Sequence, residues 1–264
     1  MPSTLYAGVA RRIINPQIGT AKCGLRLFSD PIEAIESDLT ATVLVLSNEE
    51  TKVAIIAMDL CTVSMPEAAA IRRQVGEAIS IPPSHVMLNL SHNHSSPALP
   101  DWVADTPEQT RLKERYKVNL TQWLIESVAE AHQKLKPARV GADRGESYIG
   151  VYRRETGPGG SDVLGEVPDH PIDPAVGVIR IDDLDGNPIA TMFSYGCHPV
   201  TVGPQSMVAS TDFPGPARDV VENTLGGMAM FLQACGGNIS YLARHLGLSR
   251  NTLYKRLREQ GVRP

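Results

Sequence analysis

Short apolar runs and longer amphipathic stretches alternate along most of this chain. Runs rich in β-branched and aliphatic residues predict strands, because such side chains fit a pleated, buried surface. These runs lie at residues 40–46, 53–58, 86–91, 138–142, 176–181, 189–195 and 228–232. The turn-rich residues 47–50 separate the first two runs, which predicts a hairpin.

Helix start signals precede three amphipathic stretches. Ser64 with Glu67 forms a capping box, and Pro66 is tolerated in the first turn. Thr106-Pro107 begins a long amphipathic helix in the same way. The predicted helices run from residue 64 to about 79, from 106 to about 135, and from 212–216 to about 223.

The segment 145–170 is rich in Gly, Pro and charged residues and is predicted to form a long loop. Together, the elements predict an α/β fold, a mixed sheet with flanking helices, followed by a small all-α segment at the C-terminus.

Composition and charge narrow the function. Apolar residues make up 42% of the 264 positions, which excludes an intrinsically disordered chain. Residues 240–264 hold six Lys or Arg and one Glu, a net charge of +5, so the rest of this −4 chain carries −9. A short basic end on an acidic body indicates a polyanion-binding end.

The lack of a recognisable targeting signal and the pattern of cysteines favour a cytoplasmic protein. The first residues show neither a secretory leader nor an apolar run long enough to span a membrane. Four widely spaced cysteines form neither a C-x-x-C motif nor a disulfide framework, so reduced thiols are expected.

Histidines follow two of the predicted strands. His92 and His94 come directly after the run 86–91, and His198 after the run 189–195, while Asp59 ends the run 53–58. Strand ends are where α/β proteins usually place their sites, and imidazole with carboxylate suits zinc. The alternative is that these side chains only hydrogen-bond loop backbones, which for any single histidine is the commoner role.

Six ordered sequence matches carry a resemblance to the neutral/alkaline ceramidase-like zinc hydrolases, over roughly residues 5–238. They are the opening Ala7-Gly8-Val9-Ala10-Arg11 with Ile14-Asn15-Pro16, the segment 90–97, the loop motif Tyr152-Arg153-Arg154, Tyr195-Gly196-Cys197-His198-Pro199, Ser210-Thr211-Asp212-Phe213-Pro214-Gly215, and Phe231-Leu232-Gln233-Ala234-Cys235-Gly236. The resemblance implies zinc-dependent hydrolysis of a linear amide, with a small-molecule or lipid-like N-acyl substrate.

The resemblance also implies roles for individual residues. His92 and His198 are expected to bind Zn²⁺, while His94 and Arg153 stabilise an oxyanion or orient the bound water. Ser240 matches the family's serine beside the zinc.

The family's two other ligands, a Glu and a Tyr, come from sequence beyond this segment, so the hydrolase domain is expected to be truncated. Asp59 or Asp212 could replace them; otherwise they would form strand-end hydrogen bonds and cap the next helix, respectively.

The pattern changes after the Gly-Gly turn at residues 236–237. Residues 239–246 and 250–259 are predicted to form two helices around a turn at 247–249, which is typical of a helix-turn-helix. An ordinary pair of amphipathic helices is the alternative. Residues 234–257 resemble the Fis-type helix-turn-helix of bacterial enhancer-binding activators, whose modules act as dimers.

The Fis-type resemblance implies contacts with double-stranded DNA. Ser249, Arg250, Asn251 and Lys255 are expected to face the DNA, with Arg250 reading a guanine. Thr252, Lys255 and Arg258 are expected to hold phosphates.

The sequence thus predicts two modules of different origin, a hydrolase-like domain at residues 1–236 and a DNA-binding segment at 237–264. Their junction lies within residues 232–239, a string that satisfies both families and indicates a chimeric chain. The expected function is a zinc-dependent amide hydrolase module with a DNA-binding tail. A homodimer is among the expected partners. The alternative is a DNA-binding transcriptional regulator whose N-terminal body is non-catalytic.

Overall fold

A computed structural model describes residues 4–24, 30–100, 105–202 and 206–241. Three α-helices lie in these ranges: α1 (Met65–Ala78), α2 (Pro107–Gln133) and α3 (Pro214–Leu225). Two 3₁₀ turns lie at Pro83–His85 and Pro158–Gly160. The strands, in chain order, are β1 (Leu5–Ile13), β2 (Ala34–Ile35), β3 (Thr40–Ser47), β4 (Lys52–Met58), β5 (Val86–Leu90), β6 (Lys136–Glu146), β7 (Gly150–Thr156), β8 (Asp162–Val167), β9 (Ala175–Asp183), β10 (Pro188–Tyr195), β11 (Val208–Ala209), β12 (Met228–Gln233) and β13 (Ile239–Tyr241).

Eight strands form the main sheet, in the order β12-β10-β9-β6-β1-β3-β4-β5. The pairs β10–β12 and β4–β5 are parallel and the others are antiparallel, so the sheet is mixed. A three-stranded sheet, β13-β7-β8, and a two-stranded sheet, β11-β2, complete the described part. The predicted α/β fold with a mixed sheet and flanking helices is confirmed. The predicted all-α tail lies almost wholly outside the described residues.

Local sequence signals located most elements correctly. The predicted hairpin is β3 and β4, paired in antiparallel register from Ala41 with Met58 to Ser47 with Lys52. A full capping box opens α1 at Ser64, and a second one, with Gln109 in the glutamate's place, opens α2 at Thr106. Short-range hydrogen bonds fix these features, so a local pattern is enough to predict them.

Two predictions about backbone conformation are wrong. The segment 145–170 is not a long loop, because β7 and β8 pair there across a turn. Residues 239–241 do not start a helix, since β13 pairs with β7. In both cases, pairing with a distant strand outweighed local propensity. The predicted boundary between the two domains at residue 236 stays a prediction. Residues 239–241, which follow that boundary, pair with β7 of the hydrolase-like body.

Both faces of β3 are covered, which explains its continuous apolar run. In β3, Val43 and Val45 face the cluster that α1 and α2 cover, whereas Leu44 belongs to a second cluster on the other face. That second cluster gathers residues from both halves of the sheet, including Ala7 and Met230. The sheet is therefore strongly curved, so that side chains from its two halves pack against each other on the concave face.

The two edge strands of the main sheet meet through Asn89. Its side-chain oxygen accepts the backbone N–H of Gln233 at 2.9 Å, and its amide donates to the Gln233 carbonyl at 3.2 Å. A side chain thereby provides both hydrogen bonds that a neighbouring strand would otherwise supply to Gln233. The closure brings the end of β5 to the ends of β10 and β12.

Asp59 follows β4 but points into a buried ion pair. Arg218 of α3 donates to both of its carboxylate oxygens at 2.6 and 2.8 Å, and Thr40 donates to it as well. Bidentate pairing satisfies a carboxylate that is otherwise costly to bury. Asp59 thus attaches α3 to the sheet, which agrees with strand-end hydrogen bonding and not with a metal-binding role.

We expect Asn89→Ala to lower the free energy of unfolding by about 1–3 kcal/mol, because it leaves a backbone N–H and C=O of β12 unpaired. Urea denaturation measures the loss, and histidine NMR signals should shift because the strand ends separate. Asn48→Ala is the control: Asn48 also makes two hydrogen bonds to the backbone, accepting two N–H groups, but in an exposed turn. Histidine signals that shift equally in both variants would contradict this role of Asn89.

Candidate metal centre

Three histidine side chains meet where the sheet closes. His92 and His94 lie in the loop after β5, and His198 follows β10. One ring nitrogen from each lies within 4.8 Å of the others, a spacing at which they could hold one metal ion. The structure thus brings together the three histidines that the sequence singled out.

His92 is held in an uncommon backbone conformation. Its φ is +60°, in the left-handed region that non-glycine residues seldom adopt. Its Nδ1 lies 3.2 Å from the Cys61 carbonyl. Since a carbonyl can only accept, Nδ1 carries the proton and Nε2 keeps its lone pair. Burial is the main cause of the lowered pKa of His92.

His198 is buried and fixed at both ring nitrogens. Nδ1 donates to the Gly236 carbonyl at 2.8 Å, and Nε2 accepts from Arg153 Nη2 at 2.9 Å. A guanidinium can only donate, so the ring is neutral with its lone pair on Nε2. Burial first, and then the charge of Arg153, lower its pKa to about 4. A backbone carbonyl behind a ligating imidazole is the usual way to orient it.

His94 contrasts with its neighbours, because neither of its buried ring nitrogens makes a hydrogen bond of normal geometry, although the Cys23 backbone lies close enough to affect its pKa. Burial lowers its pKa to about 3, helped by His92, His198 and Arg153; only the Cys23 carbonyl acts in the opposite direction. Buried polar atoms without partners are uncommon and often mark a place for an ion or another ligand.

Arg153 approaches the cluster from β7. Its Nε donates to the Gly237 carbonyl at 3.1 Å, and its backbone N–H donates to the Asn238 carbonyl. These contacts hold the buried guanidinium beside His198. The sequence predicted this position for Arg153 through a motif expected in a loop; a strand supplies it instead.

Ser240 lies in β13, next to His198. The two residues form a parallel bridge, and the His198 N–H donates to the Ile239 carbonyl at 2.9 Å. The nearby Gly236 has no room for a side chain, since a Cβ there would lie 2.7 Å from the Cys197 nitrogen. Close backbone packing therefore positions both residues.

Asp212 does not join the imidazoles. It accepts hydrogen bonds from the Thr201 hydroxyl and the Val202 and Phe213 N–H groups, each at 2.8 Å. The prediction that it caps the next helix is also wrong, because Phe213 is the N-cap of α3. Asp212 instead braces the loop that follows His198.

The predicted DNA-contacting residues, Ser249, Arg250, Asn251, Thr252, Lys255 and Arg258, lie outside the described residues. Among the helices that the structure describes, none has the length and apolar character needed to cross a bilayer.

Two cysteines beside His94 were not singled out by the sequence. Cys61 lies just beyond the end of β4, as His92 does beyond β5, and this strand-end position was the available signal. Cys23 lies in an irregular segment that bridges to residue 97, and no sequence pattern marks it. Their ligand atoms and one nitrogen of His94 lie within 4.8 Å of one another.

With the site described, the chain can be compared with known proteins. A segment of 161 residues is 24% identical to "Neutral ceramidase A" of Dictyostelium discoideum, covering 58% of this chain and 22% of that protein. The crystal structure of neutral ceramidase from Pseudomonas aeruginosa superimposes with a TM-score of 0.71 at 17% identity, over 91% of this chain and 40% of that one. A structure titled "Ceramidase complexed with C2" gives 0.69 at 17% identity, over 92% and 39%.

These comparisons define the body of the chain. It has the fold of the neutral ceramidases and resembles them in sequence, which confirms the first resemblance. The chain spans well under half the length of the ceramidases that it matches.

A second family matches the other end. Residues 228–259 match the family described as "Bacterial regulatory protein, Fis family", which confirms the second resemblance. This match begins inside the body, because residues 228–233 are β12 of the main sheet.

The protonation of the histidines provides a test of the site. The folded pKa values are about 3 for His94 and about 4 for His198, both below the ordinary histidine pKa of 6.5, so the unfolded chain binds more protons in that interval. Stability should therefore be full above pH 6.5 and fall as the pH drops toward 4. Histidine NMR titration of the native chain measures this, with the urea-unfolded chain as the control. Protonation of His94 near pH 6.5 in the native chain would rule out its buried setting.

Proposed function

We propose that the body is a zinc-dependent hydrolase module that acts on a linear amide bond. One observation carries the proposal: two imidazoles with oriented Nε2 lone pairs and a third with no hydrogen-bond partner converge within 4.8 Å. A metal ion would take up the lone pairs of His92 and His198, and His94 would lie beside it. The fold of the neutral ceramidases supports the same reading.

The residues present fit a zinc ion. Neutral imidazoles are preferred zinc ligands, and this site supplies two of the three protein ligands that are usual in a catalytic centre. His92 and His198 would hold the ion through Nε2, because backbone carbonyls already occupy both Nδ1 positions. When bound, the ion would polarise the amide carbonyl and acidify a water molecule.

Arg153 would act with His94 on the charge that develops. Arg153 now donates to His198 Nε2, so metal binding at that nitrogen requires this hydrogen bond to break. The released guanidinium, still held by Gly237 and Asn238, could then donate to an oxyanion. His94, neutral at neutral pH, could donate one N–H to the same oxygen or orient the water. Ser240 would contribute its hydroxyl from β13.

The substrate class follows from the relatives. They are named ceramidases, and ceramide is a lipid N-acyl amide, so we propose a lipid-like or smaller N-acyl amide as the substrate. We also place the protein in the cytoplasm as part of this proposal, which all four free cysteines support.

Metal analysis of the purified chain tests the zinc site. We expect bound zinc in the wild-type chain and its loss in His92→Ala and His198→Ala, because each removes a ligand. His132→Ala is the control, since His132 lies on α2 and pairs with Lys52. A wild-type chain without zinc, or one whose zinc content is unchanged by His92→Ala, would refute the metal site.

Hydrolysis of a short N-acyl amide tests the role of Arg153. Arg153→Met should leave the zinc content intact and lower kcat by about 10²–10³-fold, the usual cost of losing an oxyanion donor. Arg154→Met is the matched control, because its guanidinium bonds the Asn238 side chain at an exposed position. Equal rates in the wild-type and Arg153→Met chains would exclude the proposed role.

A second function is favoured by the Fis-family match. We propose that the tail binds double-stranded DNA, and the alternative to the hydrolase is a transcriptional regulator with a non-catalytic body. In that alternative, the histidine cluster binds a ligand or stabilises the fold and does not catalyse a reaction. A homodimer remains part of this proposal, since Fis-type modules act as dimers.

Fluorescence anisotropy with duplex DNA tests the tail. Binding should weaken with salt, and Arg250→Ala should cost about 1–3 kcal/mol, the usual value for a base-reading arginine. Arg73→Ala, an exposed change on α1, is the control. Binding that responds equally to both substitutions, or that ignores salt, would count against a specific DNA interface.

A further inference from the structure

We propose that Cys23, Cys61 and His94 form a second metal site, for a thiophilic ion such as zinc, next to the three-imidazole cluster. Sγ of each cysteine and one nitrogen of His94 lie within 4.8 Å of one another. The inference shares His94 with the proposed hydrolase site but rests on the two cysteines, which have no role there.

The two cysteines are held in place by one buried residue. Ser96 accepts the Cys23 N–H at its carbonyl, at 2.8 Å, and the Cys61 N–H at its hydroxyl oxygen, at 3.0 Å. The same hydroxyl donates to the Asn93 carbonyl at 2.7 Å. Ser96 thereby connects three separate segments, and the positions of the thiols are fixed before any ion arrives.

Charge balance favours a divalent ion over bare thiolates. Cys23 and Cys61 are 4% and 5% exposed, so two thiolates alone would be costly to bury. Two thiolates, a neutral imidazole and a divalent cation together carry no net charge. Thiolate ligands select soft ions such as zinc, and two Cys with one His form a known catalytic zinc ligand set with an open fourth position.

A purely apolar role explains less of the structure. Both cysteines pack with Ala21 and Ala98, as small hydrophobic residues do. That packing leaves both nitrogens of His94 without a partner. A metal ion accounts for the thiols and for the imidazole together.

Cobalt titration of the full reduced chain tests the site. We expect a thiolate-to-cobalt charge-transfer band in the wild-type chain. Cys23→Ser and Cys61→Ser should each weaken cobalt binding at this site by about 10-fold or more, at least what the loss of an outer partner costs. The matched control is Cys235→Ser, an exposed cysteine outside the cluster.

His198→Ala separates this site from the proposed hydrolase centre. The band should persist in His198→Ala, while zinc at the three-imidazole cluster should be lost. If the band vanished in Cys235→Ser as readily as in Cys23→Ser, the assignment would be wrong.

The wild-type chain gives a readout that does not depend on how the variants fold. Its zinc-loaded X-ray absorption spectrum should show sulfur as well as nitrogen neighbours. A spectrum with no sulfur neighbour, a reduced chain with no cobalt band, or a Cys23–Cys61 disulfide in the freshly purified chain would each overturn the proposal.

Discussion

The closure of the main sheet through Asn89 is the interaction on which the rest of the structure depends. An eight-stranded sheet with β5 and β12 at opposite edges would keep the ends of those strands far apart. The inner apolar cluster brings these edges together, and Asn89 connects them by hydrogen-bonding both backbone groups of Gln233. His92 lies three residues after Asn89, and His198 three residues after Tyr195, the neighbour of Gln233 in β10. Asn89 thus links the strands that carry the two halves of the candidate metal centre.

The centre is built mainly from backbone groups. Carbonyls of Cys61 and Gly236 orient His92 and His198, and carbonyls of Gly237 and Asn238 hold Arg153. Such contacts fix side chains without requiring particular residue types, provided that the backbones approach closely. Gly236 permits that approach, because a side chain there would collide with residue 197.

The segment that both family resemblances share has a definite structural role. Residues 228–233 form β12, which pairs with β10 and lies buried in the inner cluster, and residues 239–241 form β13 against β7. The first residues of the Fis-family match therefore form part of the main sheet.

The sequence by itself determined the elements that depend on local chemistry. Capping residues defined the starts of α1 and α2, apolar runs marked most strands, and the motifs around His92 and His198 indicated both the fold family and the candidate ligands. These features need only near neighbours, so one chain read in order reveals them.

Only the tertiary structure decided which distant groups meet. Residues within 145–170 and 239–241 form paired strands. Asp59 forms an ion pair with Arg218, and Asp212 hydrogen-bonds the loop after His198. The tertiary structure also placed Cys23 and Cys61 beside His94, although 38 positions separate the two cysteines. Long-range strand pairing and burial set these contacts, and neither leaves a mark at fixed spacing in the sequence.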